Sequence, residues 1–286
     1  MSHRPQSITV FTRRNPAQTA GALQRLIELA VEAGVEVRIP AGEVEKHSLE
    51  QRDGAVYGVD PEADTDLAVV LGGDGTILST LRLFAGREVP VFAVNYGAIG
   101  FLATVEGLDP DAGFGRALSG EFEVLRLPAL CAGGSGGPHL AVNDISFHRR
   151  PDGRVAELAY SVRGEELGQV RCDGLVVATP AGSTGYNLAN GGPVLAWGVE
   201  GFVVSFIAPH TLTARALVVA PDDVLEVANR SREEPVDMTT DGRSVASLEP
   251  GGSVEIRFET GRVLLAQSPD ATFYHRLRDK FGRLAY

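Results

Sequence analysis

The sequence predicts an α/β domain with an open parallel sheet, followed by a β-rich, sandwich-like domain and a C-terminal helix that packs back on the first domain. Three features predict this. The first third alternates strand-like and helix-like segments, and its apolar runs Leu67–Leu71 and Val89–Val94 suit strands buried on both faces. From about Glu121 the helical spacing stops, and short strands with turn signals take over. Helical spacing returns at Phe273–Leu284, where Phe273, Leu277 and Phe281 need a surface to cover. The expected boundaries are 1–124 for the α/β domain, with 268–286 returning to it, and 125–267 for the β-rich domain.

Each element follows from local chemistry. Ile8–Phe11 is a β-branched and aromatic run, read as the first strand. Asn15-Pro16 marks a helix start, since Asn caps and Pro fits the first turn. Ala17–Ala33 then carries Leu23, Ile27, Ala30 and Val31 at helical spacing, and Gly34 stops it. Val35–Ile39 and Leu67–Leu71 are the next strands. Gly72–Gly75 turns the chain into a helix marked by Ile77, Leu78, Leu81 and Phe84, and strand Val89–Val94 follows. In the second domain the strands are Val155–Val162, Leu175–Ala178, Phe202–Ile207, Leu217–Ala220 and Val224–Ala228. Val254–Phe258 and Val263–Leu265 read as a hairpin turned by Glu259-Thr260-Gly261-Arg262. Gly133–Gly137 reads as a flexible hairpin loop.

Composition narrows the function. The 286 residues are 44% hydrophobic and 22% charged, enough for a real core without metal or disulfide staples. A net charge of -11 opposes a broad nucleic-acid surface but not a small anionic ligand, whose field backbone N–H groups can answer locally. Cys131 and Cys172 stand outside any CxxC or Cys/His cluster and are expected to be reduced thiols. His139, His148, His210 and His275 lack metal-ligand spacing, so no protein-borne metal site is expected. No signal pattern and no membrane-length apolar run is present, and a cytoplasmic location is expected.

The segment Gly72-Gly73-Asp74-Gly75-Thr76 lies between a buried strand and a helix, where α/β sheets bind ligands. Glycines admit phosphate oxygens closely, and the helix N-terminus offers N–H groups and partial positive charge. A carboxylate among those donors repels phosphate unless it meets a metal or accepts a proton, which makes Asp74 the catalytic candidate. The plainer alternative is that Asp74 caps the helix. Asn143-Asp144 offers an amide complementary to the adenine edge and a carboxylate for a ribose diol, or forms an ordinary turn. Arg171-Cys172-Asp173-Gly174 and Thr179–Asn187 concentrate hydroxyls, an amide, a ring and a carboxylate, suitable lining for a flat polar ligand. Ser183 does not match the GxSxG elbow, which leaves a hydrolase reading weak.

In this order the segments resemble the NAD kinase family: Leu71–Thr76, Asn95-Tyr96-Gly97 to Gly100-Phe101-Leu102, Asn143-Asp144, Asp173-Gly174-Leu175 through Tyr186-Asn187, Gly191-Gly192-Pro193, Pro209–Arg215 and Asp241-Gly242. The GGDG element alone is shared with lipid kinases and phosphofructokinases. The resemblance implies NAD bound between the two domains, ATP as phosphoryl donor, a divalent metal (magnesium) and a homo-oligomer, dimer or tetramer. It implies that Asp74 is the general base for the adenosine-ribose 2′-hydroxyl, within a loop of Gly72, Gly73, Gly75 and Thr76. It further implies that Asn143 and Asp144 hold the adenosine part. The resemblance implies that Asp173, Thr184, Gly185, Tyr186, Asn187, Leu188 and Ala189 line the dinucleotide site, with Arg171 as a charged contact. The chain departs from the family pattern at Ser79, Asp144 (often Glu), Ala181, Gly185 and Arg243. The alternatives are a non-catalytic dinucleotide-binding regulator and a lipid or sugar kinase sharing the GGDG loop.

Overall fold

Parallel pairing of apolar strands builds the first part of the protein, seen in a computed structural model that describes residues 4–51, 54–96, 100–106, 110–133, 137–269 and 272–282. The chain divides into two units, Met1–Arg126 with Val263–Tyr286, and Leu127–Arg262.

The first unit contains β1 (Ser7–Thr12), α1 (Ala20–Ala33), β2 (Glu36–Pro40), α2 (Ala41–His47), β3 (Ala55–Val59), β4 (Leu67–Gly72), α3 (Asp74–Leu83), β5 (Val91–Asn95), β6 (Val105–Glu106) and α4 (Pro110–Ser119). The main strands run in the order β5-β4-β1-β2-β3, and every pairing among them is parallel. β4 and β5 are buried along their whole length, as their unbroken apolar sequence requires. Ile8, Val10, Leu26, Val37, Val69 and Phe92 form the core beneath α1 and α4. Asn15 caps a short 3-10 turn at Pro16–Gln18, and α1 begins only after it, at Ala20. Val31, expected in the apolar stripe, is 51% exposed, and Leu26 is buried instead. Leu23, Leu26, Ile27 and Ala30 share one side, whereas Val31 is a further 100° round the helix.

Neither α2 nor β3 is expected from the sequence. Both are short, and β3 alternates between intermediate and exposed residues, so neither carries a long apolar signature.

The second unit receives the end of β7 (Glu123–Ala132). It continues with β8 (His139–Ala141), β9 (Asp144–Arg149), β10 (Ala156–Val162), β11 (Glu165–Cys172), β12 (Gly174–Ala178), α5 (Tyr186–Ala189), β13 (Phe202–Ile207), β14 (Leu217–Val219), β15 (Leu225–Asn229), β16 (Val236–Thr240) and β17 (Arg243–Leu248). One antiparallel sheet runs β14-β13-β12-β9-β16-β17. Facing it, β11, β10, β15 and the start of β18 (Ser253–Gln267) pair antiparallel. Ile145, Phe147, Leu175 and Val177 from one layer meet Leu158, Val227 and Ile256 from the other, the sandwich core that alternating sequence requires.

The expected hairpin at Glu259–Arg262 does not form. Residues 253–267 are one strand, whose first half pairs with β15 and whose last residues pair with β5. Gly261 absorbs a local φ of 61° within it, so the turn-like Glu-Thr-Gly-Arg marks an irregularity and not a reversal. The notional loop at 133–137 and the NYGAIG segment lie partly outside the described residues, at 134–136 and 97–99, as does the end of the C-terminal helix, 283–284.

That helix, α6 (Phe273–Phe281), belongs to the first unit and is capped by Thr272. Its buried residue is Arg276, and Phe101 and Phe281 place their rings 6.0 Å apart. Among the described residues no helix is long and apolar enough to cross a membrane.

Candidate active site

The strand order places a topological switch at β1/β4. From β1 the chain winds outward through β2 and β3, then returns to lay β4 on the other side of β1. In such sheets ligands bind outside the carboxyl ends of the strands flanking the switch. Thr12 is in register with Leu71, so Arg13 and the Gly72–Gly75 turn leave the sheet side by side. The backbone of Arg13 donates to Leu71 O at 2.9 Å, and that of Tyr96 donates to Gly72 O at 3.2 Å. The Arg13 guanidinium donates to the Tyr96 carbonyl.

Asp74 does not cap α3. The cap is Gly73, in extended conformation, and Asp74 is the first helical residue. Its carboxylate instead accepts from Phe101 N at 2.9 Å and Leu102 N at 3.3 Å. Two backbone donors hold the group, one on each oxygen. A carboxylate has about four lone-pair sites, so both oxygens keep capacity to accept a further proton donor. Gly100 is packed against this carboxylate so closely that a Cβ there would collide with it. The Thr76 hydroxyl lies against Gly72, where a Cβ would come within 2.8 Å of it. Gly75 is exposed and would accept a Cβ into open space, so this part of the turn is open to a ligand. Ser79, on the same helix, is exposed and accepts from Arg82 at 3.2 Å.

In the second unit Asn143-Asp144 joins β8 to β9. It is no free turn. The Asp241 carboxylate accepts from the backbone N–H groups of Val142 (3.1 Å), Asn143 (2.7 Å) and Asp144 (3.1 Å), and Asp241 N donates back to Asp144 O at 2.9 Å. Asp241 adopts φ 45°, in the left-handed region, to make this clamp. Asn143 O accepts from Thr179 N, and Gly182 presses on the Asn143 backbone where no side chain would fit. The Asn143 amide oxygen is buried and has no hydrogen-bond partner among the described residues. Asp144 is buried too. Its burial, and then the neighbouring Asp241 charge, push its carboxyl up to about 7.

The Thr179–Pro193 loop is braced from inside. Ser183 is fully buried, donates to Pro180 O at 2.7 Å and accepts from Leu195 N at 2.9 Å, which removes it as a nucleophile. Asn187 is fully buried as well, its amide donating to Ser183 O and Pro193 O at 2.9 Å each. It holds the loop and does not present to solvent. Thr184 and Leu188 are half-buried, Gly185 and Ala189 are exposed, and the Tyr186 ring is 37% exposed.

Tyr186 stacks on His148, with centroids 5.6 Å apart and planes at 20°. His148 Nε2 lies 2.8 Å from Ser146 Oγ, which lies 2.7 Å from Thr239 Oγ1. Burial lowers the His148 pKa, against the raising influence of Asp237. Asp173 is half-buried and accepts from Arg149 at 2.6 Å, while Arg171 is exposed on β11. No functional role is expected from the sequence for Ser146, His148, Arg149, Thr239 or Asp241. The signal for the first two was present: Asp144, Ser146 and His148 alternate with the core residues Ile145 and Phe147 and so share the outer face of β9.

A cavity of about 720 Å³ lies elsewhere in the first unit, lined by Arg4, Gln6, Asp66, Arg87, Val89 and Phe122. Apart from Phe122, which precedes β7, these residues precede β1, β4 and β5, at the end of the sheet opposite Asp74.

The fold and the site define a protein of two units: an α/β unit that presents a backbone-held carboxylate at its switch point, and a β-sandwich carrying a clamped Asn-Asp pair. The family model for the ATP-NAD kinase N-terminal domain matches residues 9–118, and that for the ATP-NAD kinase C-terminal domain matches residues 142–265. The chain is 33% identical to the NAD kinase of Geobacter sulfurreducens over 285 residues, covering 96% of this chain and 98% of that protein. It is 36% identical to the NAD kinase of Syntrophotalea carbinolica over 222 residues, 76% and 78% of the two chains. Among solved structures, the Archaeoglobus fulgidus NAD kinase in complex with ATP aligns with a TM-score of 0.73 and 27% identity, over 97% of this chain and 98% of that one. Yeast NADH kinase complexed with NADH shares the fold, with a TM-score of 0.87 and 22% identity over 98% and 88%. The chain belongs to the NAD kinase family.

Proposed function

We propose that the chain transfers the γ-phosphoryl group of ATP to the adenosine-ribose 2′-hydroxyl of NAD, giving NADP, with Asp74 as general base. The observation that carries this reading is the placement of Asp74. Its carboxylate is withdrawn from the helix cap and held at the switch point by Phe101 N and Leu102 N. Phosphoryl transfer asks little covalent chemistry of the protein, so alignment and charge stabilisation supply most of the rate. A carboxylate is a weak base at neutral pH. Its task here is to orient the hydroxyl and take its proton late, as the phosphorus centre draws the oxygen acidic.

In this reading the glycine turn and the start of α3 receive the phosphates. Asn143 offers its unpartnered amide oxygen to the adenine amino group, Asp144 bonds the adenosine part, and Asp173, Thr184, Gly185, Tyr186, Leu188 and Ala189 line the rest. Asn187 acts by bracing that loop. The divalent ion, magnesium, enters as part of the nucleotide substrate. We place the protein in the cytoplasm as a homo-oligomer, a dimer or tetramer that light scattering would size.

The test mixes purified protein with NAD, ATP and magnesium and reads NADP through an NADP-specific dehydrogenase, with Asp74→Asn alongside. The variant should lose at least ~10²-fold in turnover while keeping NAD binding, a general-base magnitude. Unchanged turnover would refute the base role. NAD binding without product from the wild type would point to a non-catalytic regulator.

A further inference from the structure

Arg276 lies on α6, 175 residues from Phe101, and is 7% exposed. A guanidinium that deeply buried needs acceptors for its terminal N–H groups. Arg276 Nη1 donates to Phe101 O at 3.0 Å and to Ala103 O at 2.5 Å, and Nη2 donates to Gln267 Oε1 at 2.5 Å. Phe101 C=O and Leu102 N–H belong to one peptide unit. In a trans peptide these two groups point in opposite directions. The oxygen of this unit is held by Arg276, and its N–H is held by the Asp74 carboxylate. One rigid plane therefore links the C-terminal helix to the carboxylate. The next residues are tied separately: Thr104 N donates to Ala93 O and Thr104 Oγ1 to Ala266 O. Arg276 thus fixes the rotation of the plane that Asp74 uses, while Thr104 fixes only where the segment ends.

We propose that Arg276 is a positioning residue for Asp74, setting the Phe101–Leu102 peptide so that its N–H holds the carboxylate in line with the acceptor hydroxyl. This rests on the proposed reaction with Asp74 as base. Without Arg276 the peptide is free to rotate, the carboxylate loses one of its two donors, and its orientation broadens.

The experiment compares Arg276→Met, Arg276→Lys and Asp74→Asn, and combines the first with the last, in the full-length protein. Melting temperatures confirm folding, and the NADP assay gives kcat and both KM values. Arg276→Met should lower kcat at least about tenfold, ~1.4 kcal/mol, with KM for NAD and ATP within about twofold. Arg276→Lys, which keeps the charge but fewer donors, should fall between. In the Asp74→Asn background Arg276→Met should cost nothing further, because the two residues act through one group. A purely structural staple would give losses that multiply. Multiplying losses, or a folded Arg276→Met with unchanged kcat, overturn the proposal. Arg276→Lys carries the same test if Arg276→Met does not fold. A wild type that makes no NADP overturns the reaction and this inference with it, whereas an active wild type beside an unaffected variant overturns the inference alone.

Discussion

Adding one methyl group at Gly100 perturbs Asp74 without introducing or removing a titratable group. A Cβ at Gly100 would stand 2.9 Å from Asp74 Oδ2 and nearer still to Oδ1 and Cγ. Relaxed contact needs ~3.5 Å. The φ of Gly100 lies outside the left-handed region, so the substitution adds contact and not backbone strain. With Oδ1 only 2.0 Å away, the carboxylate must withdraw by roughly 1.5 Å, which breaks its 2.9 Å bond from Phe101 N. A displacement of that size at a reacting group costs about 10²-fold in rate, or ~2.7 kcal/mol of barrier. Coupled NADP formation should show that fall in kcat for Gly100→Ala, with KM for ATP little changed and a melting temperature near that of the wild type. A folded Gly100→Ala that turns over within about twofold of wild type would refute the reasoning, since the reaction would then be insensitive to where Asp74 points.

Two further outcomes follow from the second unit. Burial and Asp241 hold the Asp144 carboxyl up at about 7, against 3.8 for an ordinary Asp. The folded protein keeps a proton that the unfolded chain has lost. This group's contribution to stability is full below about pH 4, declines as pH rises from 3.8 to about 7, and is gone above that. Asp144→Asn should remove this decline. Urea melts at pH 5 and pH 8 should show a wild-type loss that the variant lacks, and equal pH dependence in both would sink the assignment. The stack of His148 on Tyr186 needs a flat ring more than an imidazole. His148→Phe should keep KM for NAD within a few-fold of wild type, and His148→Ala should raise it several-fold more, with steady-state kinetics in NAD as the check.

What was legible in the sequence was local. Leu67–Leu71, the glycine turn and the stripe beginning at Ile77 marked strand, turn and helix because each signal lies within a few residues of its neighbour. The same locality explains the misreadings. At Asp74 a short-range view offers the helix cap, while the real donors are 27 and 28 residues further on. At Glu259–Arg262 a turn-forming tetrapeptide suggested a hairpin, and pairing of the two halves with β15 and β5 overrode it. The bracing of Asn187 by Ser183 O and Pro193 O, four and six residues away, is likewise invisible to local spacing. The Asn143–Asp241 clamp spans 98 residues, and no spacing rule connects the two segments. Candidate residues were visible where chemistry concentrates in one loop. The groups that orient them were not, since their contacts are made by the fold.

Among the described residues, Asp74, Asp241 and Asp66 use their carboxylates in the same way. Asp74 takes N–H groups from Phe101 and Leu102, Asp241 from Val142, Asn143 and Asp144, and Asp66 Oδ2 from Gln6 (2.7 Å) and Ser7 (2.9 Å). A carboxylate bound to backbone N–H groups pins a distant loop by a charge-assisted bond, and on geometry alone the three are equivalent. Position separates them. Asp66 stands just before β4 and joins it to the start of β1, at the end of the sheet where no switch-point crevice opens. Asp66→Asn should thus cost stability, about 1.5–3 kcal/mol for bonds to a charged group, and lower the melting temperature by several degrees. Turnover at 25 °C should be unchanged. If Asp66→Asn instead lowers kcat as far as Asp74→Asn does, backbone-held carboxylates here serve only to keep the unit folded, and the case for Asp74 as a base loses its distinguishing feature. If turnover survives while the melting point falls, the loss in Asp74→Asn cannot be ascribed to a weakened loop. It would then follow from the position of Asp74 beside the switch point, where its carboxylate is held by Phe101 N and Leu102 N.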